Sequence, residues 1–277
     1  MNTSFTNWIR KHQLIAFFVL TFLIMFGVTF GYIYLNPSQP MGRWSLVWFF
    51  SIFSPSISAL IIAGIIGGLT EIKRLLAGFT RWNVGFRWYF WAAFLILGPL
   101  AITLIYKALG NTGPGLTPGE TIPTMLGTIV FQFFSGPLAE EMGWRGFALP
   151  RLQAKYSALV SSLILGVIWT CWHIPFFFVT GATQMSIPFP IYLVLVTTIA
   201  FYITWLYNNT RGSLIITVLA HFCYNLTAFL TGVLGLMPAM LFYMIAGSLL
   251  ALMTVIAVVV SGPRYFSRKP VAELPIG

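Results

Sequence analysis

Eight long apolar runs dominate this chain and restrict it to one kind of environment. They extend roughly over residues 14–35, 44–69, 88–110, 123–149, 158–180, 189–207, 212–232 and 238–261. An uncharged run of about 18 residues or more crosses the ~30 Å hydrocarbon layer as a helix rising ~1.5 Å per residue. The expected fold is therefore all-α, a polytopic membrane bundle of about eight transmembrane helices. Hydrophobic residues at 58%, charged residues at 7% and a mean hydropathy of +0.88 exclude a water-soluble globule with a polar shell. The fourth run is the exception, because Glu140, Glu141 and Arg145 interrupt a segment that otherwise reads as apolar helix.

A net charge of +10 is compatible with a nucleic-acid partner, but its placement argues against one. With the N-terminus in the cytoplasm, that side receives Arg10, Lys11, Lys73, Arg74, Arg81, Arg87, Arg145, Arg151, Lys155, Arg211, Arg264, Arg268 and Lys269. The other side receives Arg43 and Lys107. This is a positive-inside pattern, so the basic excess reflects topology and contact with membrane lipid, and both termini are expected in the cytoplasm. The first run follows Arg10 and Lys11, is too long for the apolar core of a signal peptide and lacks a small-residue cleavage site, so it reads as an uncleaved anchor. No long linker, low-complexity tract or internal repeat is visible, and residues 1–277 read as a single membrane domain. The stretch 71–87 mixes four basic residues with Leu75, Leu76, Phe79, Trp82 and Phe86, as suits an amphipathic segment at the headgroups. The Gly- and Pro-rich loop near 111–121 reads as an exterior connection, and the tail after Ser261 is expected to be disordered. Cys171 and Cys223 fall within runs and read as packing residues.

The acidic residues are five glutamates, and there are three histidines. Glu71, Glu120, Glu273 and His12 lie outside the runs, whereas Glu140, Glu141, His173 and His221 lie within them. A charge at the centre of a membrane helix costs about 2.5–3.5 kcal/mol on insertion scales, so such residues are functional candidates. On a helix Glu141 and Arg145 share a face four residues apart, which favours their ion pair and leaves Glu140 free to face a cavity as a general base. Trp169 stands one turn before His173, and Pro175 removes the amide that would bond the carbonyl of Cys171. His221 and Asn225 share a face at the same four-residue spacing. A buried bridge or an interhelical hydrogen bond explains any one of these alone; together they place nearly all the buried titratable groups on three helices. At ~1.5 Å per residue Glu140 lies about 15 Å in from Pro150, His221 about 14 Å from Gly212, and His173 about 22 Å from Ala158. Helix five must therefore tilt or start low if the three are to meet. Gly136-Pro137 frees the carbonyl of Phe133 and is expected to kink the fourth span around a wet cavity.

Glu140-Glu141-x-x-x-Arg145, Trp169-x-x-x-His173 and His221-x-x-x-Asn225, with the neighbouring "RGFALPRLQ" and "TRGSL", resemble the CAAX protease and bacteriocin-processing (CPBP, or Abi) family over about residues 120–230. The resemblance implies an eight-helix intramembrane endopeptidase with its catalytic core in that segment. The family includes the Ras-converting CAAX protease, which acts after a prenylated cysteine, and bacterial proteins linked to peptide maturation and bacteriocin immunity. A peptide or lipidated protein is then the expected substrate, and a non-catalytic transporter or immunity protein using the same residues for binding is the alternative.

Amide hydrolysis needs a base for water, donors for the oxyanion and a proton for the leaving amine. The expected roles are Glu140 as base and proton donor, His173 orienting the water, His221 and Asn225 at the oxyanion, and Arg145 holding Glu141. A zinc version would use Glu141, His173 and His221 as ligands, the two-His-one-Glu set of catalytic zinc sites. The metal-free form is favoured because Asn225, a poor zinc ligand, completes the constellation. The site is expected to open toward the cytoplasm.

Overall fold

The structure, a computed structural model, describes residues 3–42 and 45–275, so Arg43, assigned above to the exterior side, lies outside the described residues. Its helices are α1 (Thr3–Lys11), α2 (Gln13–Leu35), α3 (Leu46–Ile52), α4 (Ser54–Leu76), α5 (Phe86–Ala108), α6 (Ile122–Gln153), α7 (Ala158–Trp172), α8 (Phe189–Asn209), α9 (Leu214–Val233) and α10 (Ala239–Ser261). No strand occurs among the described residues. Counting the 3-10 turn Ile174–Phe178 with α7, eight of these segments are long and apolar enough to cross a membrane. Helices suit such a solvent because they satisfy their own backbone polar groups. The molecule is an all-α, multi-pass membrane protein.

The second span differs from its expected limits of 44–69. It is cut at Phe53 into the short α3 and the longer α4, because Pro55 stands in the first turn of α4, where a missing amide costs nothing. At its other end α4 runs on past 69 to Leu76 through a break at Gly68, whose φ of +62° with ψ of −145° is a conformation for glycine. Beyond this break the segment folds across the end of the bundle: Leu75 is buried, and Cβ atoms added at Gly146 and Gly78 would strike Leu75 and Leu214 respectively. The amphipathic stretch of the sequence is thus an end-cap over the basic end of the bundle, with Trp82 and Phe86 exposed.

The tail after Ser261, expected to be disordered, is instead packed. Phe266 is fully buried; Asn208 and Asn209 donate to the Tyr265 and Phe266 carbonyls, each at 2.7 Å. The carbonyls of Arg264 and Pro263 accept from the amides of Ala158 and Leu159 at 2.7 and 3.1 Å, satisfying the first turn of α7. The loop near residues 111–121 is also tied down, by Gly115 N–H to the Gly235 carbonyl and Thr117 N–H to that of Val233. Both cysteines are free, Cys223 within the core.

The apolar core gathers aromatic rings around α6. Phe17 of α2 meets Trp144 edge-on and stacks on Phe147, and Trp144 meets Trp172 of α7 edge-on. Gly143 makes the closest approach: a Cβ there would stand 2.5 Å from the main chain of Pro55. Lacking one, α6 and α4 come into backbone contact, which brings Ser56 Oγ to the Ala139 carbonyl at 2.5 Å.

Candidate active site

The helix α6 does not carry its two glutamates on regular geometry. π-helical turns at Phe134–Leu138 and Met142–Ala148 flank the α-helical Ala139–Glu141. Pro137 sits in the first of them, where the loss of its amide hydrogen bond is accommodated by the wider turn. Glu140 and Glu141, which a regular helix would point about 100° apart, are buried together at 3% and 0% exposure.

Glu141 is the acceptor of a closed network. Its Oε1 receives Arg145 Nη1 at 2.7 Å and His221 Nδ1 at 2.9 Å, with all three side chains buried. The expected pair with Arg145 is present, and His221 joins it from α9. The second carboxylate oxygen of Glu141, and Nε and Nη2 of Arg145, have no hydrogen-bond partner; the Arg145 guanidinium lies 4.4 Å over the ring of Trp169, a cation–π arrangement.

Glu140 is held differently. Trp169 Nε1 donates to its Oε2 at 2.6 Å and Trp144 Nε1 donates to the same oxygen at 3.4 Å. Its Oε1 faces Gly136, 3.8 Å from where a Cβ there would stand, and the half-buried Asn225 brings Nδ2 to 3.1 Å from that point. His221 lies within electrostatic reach of Glu140.

His173 lies within the fifth span, as expected, at the point where α7 ends at Trp172 and the 3-10 turn in which Pro175 lies begins. Its Nδ1 meets the Trp169 carbonyl at 2.8 Å. A carbonyl only accepts, so Nδ1 carries the proton, and in the neutral imidazole Nε2 presents a lone pair. The same reasoning assigns the proton on His221 Nδ1 facing Glu141. Trp169 lies between the imidazoles, its ring centroid 5.1 Å from that of His221 and 6.0 Å from that of His173. Glu140, Arg145, His173 and His221 thereby surround the Trp169 indole, with Glu141 joined to them through Arg145 and His221 and Asn225 close to Glu140.

Two neighbours escaped the reading of the sequence, and the role of a third was only partly read. Trp144 stands four residues after Glu140, the same spacing that revealed Glu141 and Arg145, and could have been found by it. Trp169 was legible as a ring, but not as a hydrogen-bond donor to another helix. Tyr192 of α8, 5.4 Å from His173 between ring centroids, carries no local signal.

The zinc set Glu141, His173 and His221 has its Nδ1 atoms and one carboxylate oxygen committed to the bonds just described. Among the described residues no group of three or more His, Cys, Asp or Glu side chains is arranged to hold a metal ion; the Nε2 atoms of both histidines and the second oxygen of Glu141 stand outside those bonds.

Residues 122–227 match the model of the family described as type II CAAX prenyl endopeptidase Rce1-like. A CAAX prenyl protease 2 from Methanococcus maripaludis is 31% identical over 114 residues, an alignment that covers 39% of this chain and 42% of that relative. The chain thus spans about two fifths of the length of the curated relative it matches. All six candidate residues lie inside the matched segment. It is with the Rce1-like CAAX prenyl endopeptidases that this chain shares the segment bearing its candidate site.

Proposed function

We propose that this chain is an intramembrane endopeptidase that hydrolyses a peptide bond near the C-terminus of a prenylated, CAAX-type protein or peptide, with Glu140 activating the water. The observation that carries this reading is the treatment of the two neighbouring carboxylates. Glu141 is neutralised by Arg145 and His221, whereas Glu140 is held at one oxygen by indole N–H groups, with the other directed toward Asn225. The similarity to a CAAX prenyl protease supports the substrate class.

In the proposed cycle Glu140 Oε1 takes a proton from water as the water oxygen bonds to the scissile carbonyl carbon. Nε2 of neutral His173 accepts the second O–H and sets the direction of attack. The carbonyl oxygen becomes an oxyanion that receives hydrogen bonds from Asn225 Nδ2 and from Nε2–H of protonated His221. Glu140 then returns its proton to the leaving nitrogen as the C–N bond breaks, yielding an amine and a carboxylic acid that loses its proton to solvent. In its doubly protonated form His221 keeps Nδ1–H on Glu141 and offers Nε2–H to the oxyanion. The basic end of the bundle is the proposed cytoplasmic side, from which the substrate enters.

The test is cleavage of fluorogenic peptides, prenylated and unprenylated, by the purified full chain. Glu140→Ala and His173→Ala are each expected to lower kcat by about 10²–10⁴-fold. Equal cleavage by wild type and both variants would overturn the assignment. Transport of a ligand across vesicles with no bond cut would instead favour a binding protein. Activity is expected to survive exhaustive chelation; its loss, with recovery on adding Zn²⁺, would show that a metal does the work assigned to the side chains.

A further inference from the structure

Apart from the catalytic residues, the described structure holds a cavity of about 810 Å³ at the basic end of the bundle. Its size lies within the about 300–1,000 Å³ usual for ligand pockets. Glu140, His173 and His221 do not line it. Its charged lining is Arg74, Arg81, Arg151 and Arg211 against Glu71 and Glu273, a positive surplus. Glu71 is already engaged, by Arg151 at 3.4 Å and Arg74 at 3.7 Å. Arg81 and Arg211 are not: Arg81 donates to the Arg211 carbonyl at 2.7 Å and Arg211 to that of Asn83 at 3.1 Å, and among the described residues neither forms an ion pair. Each guanidinium keeps further N–H groups for an anion.

The position of the cavity selects the anion. It lies where spanning helices end, and the chain neighbours of its lining, Leu76, Trp82 and Phe86, are exposed at 44, 65 and 85%. Arginines beside exposed aromatic and aliphatic side chains at a helix end match the headgroup layer, where charge and apolar chain meet. We propose that this cavity binds the phosphate of an anionic phospholipid headgroup, with Arg81 and Arg211 as the principal donors and Arg74 at the rim. The site stands independently of the proposed proteolysis.

The test is binding of fluorescent phosphatidylglycerol to the purified full chain in neutral-detergent micelles. The double variant Arg81→Gln/Arg211→Gln is expected to bind about 30-fold more weakly, and Arg74→Gln about fivefold, whereas Lys155→Gln, at the same end but outside the cavity, changes little. Unlabelled phosphatidylglycerol should compete, and phosphatidylcholine, glycerol 3-phosphate and inorganic phosphate should not. Arg74→Gln, whose side chain is 65% exposed, serves if the double variant fails to fold. Equal loss in Lys155→Gln, or none in the cavity variants, would overturn the proposal. Displacement by free phosphate would make this a soluble-anion site, and a raised KM only for peptides with a free C-terminal carboxylate would make it a peptide subsite; either result also overturns it.

Discussion

Trp169 serves three neighbours at once: its N–H binds Glu140, its face carries Arg145 and its edge meets His221. Replacing it with phenylalanine keeps a ring for the last two and removes only the donor to Glu140. A hydrogen bond to a charged group contributes about 1.5–3 kcal/mol, so Trp169→Phe is expected to lower kcat by about 10–100-fold with KM little changed, measured on the fluorogenic peptide. A fall in stability with no change in kcat per folded molecule would reduce the indole to packing. The four-residue spacings exposed Glu141 with Arg145 and His221 with Asn225, because side chains one turn apart share a face. They did not reveal that His221 Nδ1 belongs to Glu141, since that bond joins helices eighty positions apart in sequence.

At the scale of the element, α6 decides the site. Its two π turns set the phase of the glutamates, and Gly143 sets how near α4 may come. Overpacking a tight contact costs about 1–3 kcal/mol, so Gly143→Ala is expected to lower the Tm in detergent and to reduce activity with it, because the added Cβ pushes Pro55 and the Ser56 bond to Ala139 away. An unchanged Tm would mean the helices can separate freely. Hydropathy located every span, since lipid makes the same demand of each helix. It misjudged the ends of the second span, where Pro55 and Gly68 act through backbone geometry and leave the hydropathy unchanged. Pro137 was legible as a distortion, but a proline does not say whether the helix will kink or widen into a π turn.

At the scale of the molecule, charge was the more legible signal and order the less. The basic residues of the end loops converge on one end of the bundle, and there they line a cavity. The tail looked polar enough to be loose, yet Asn208 and Asn209 hold its carbonyls and Phe266 is buried, partnerships that no local pattern announces. Removing most of a buried phenylalanine costs about 3–5 kcal/mol, so Phe266→Ala is expected to lower unfolding stability by that order, measured by denaturant titration in detergent. A variant as stable as the parent would show that the tail contributes nothing. The bonds from Ala158 and Leu159 to the carbonyls of Arg264 and Pro263 carry a further implication. The helix that leads into His173 starts on acceptors that a ribosome adds about a hundred residues later. The first turn of that helix therefore gains these two acceptors only after the chain has been made through Arg264.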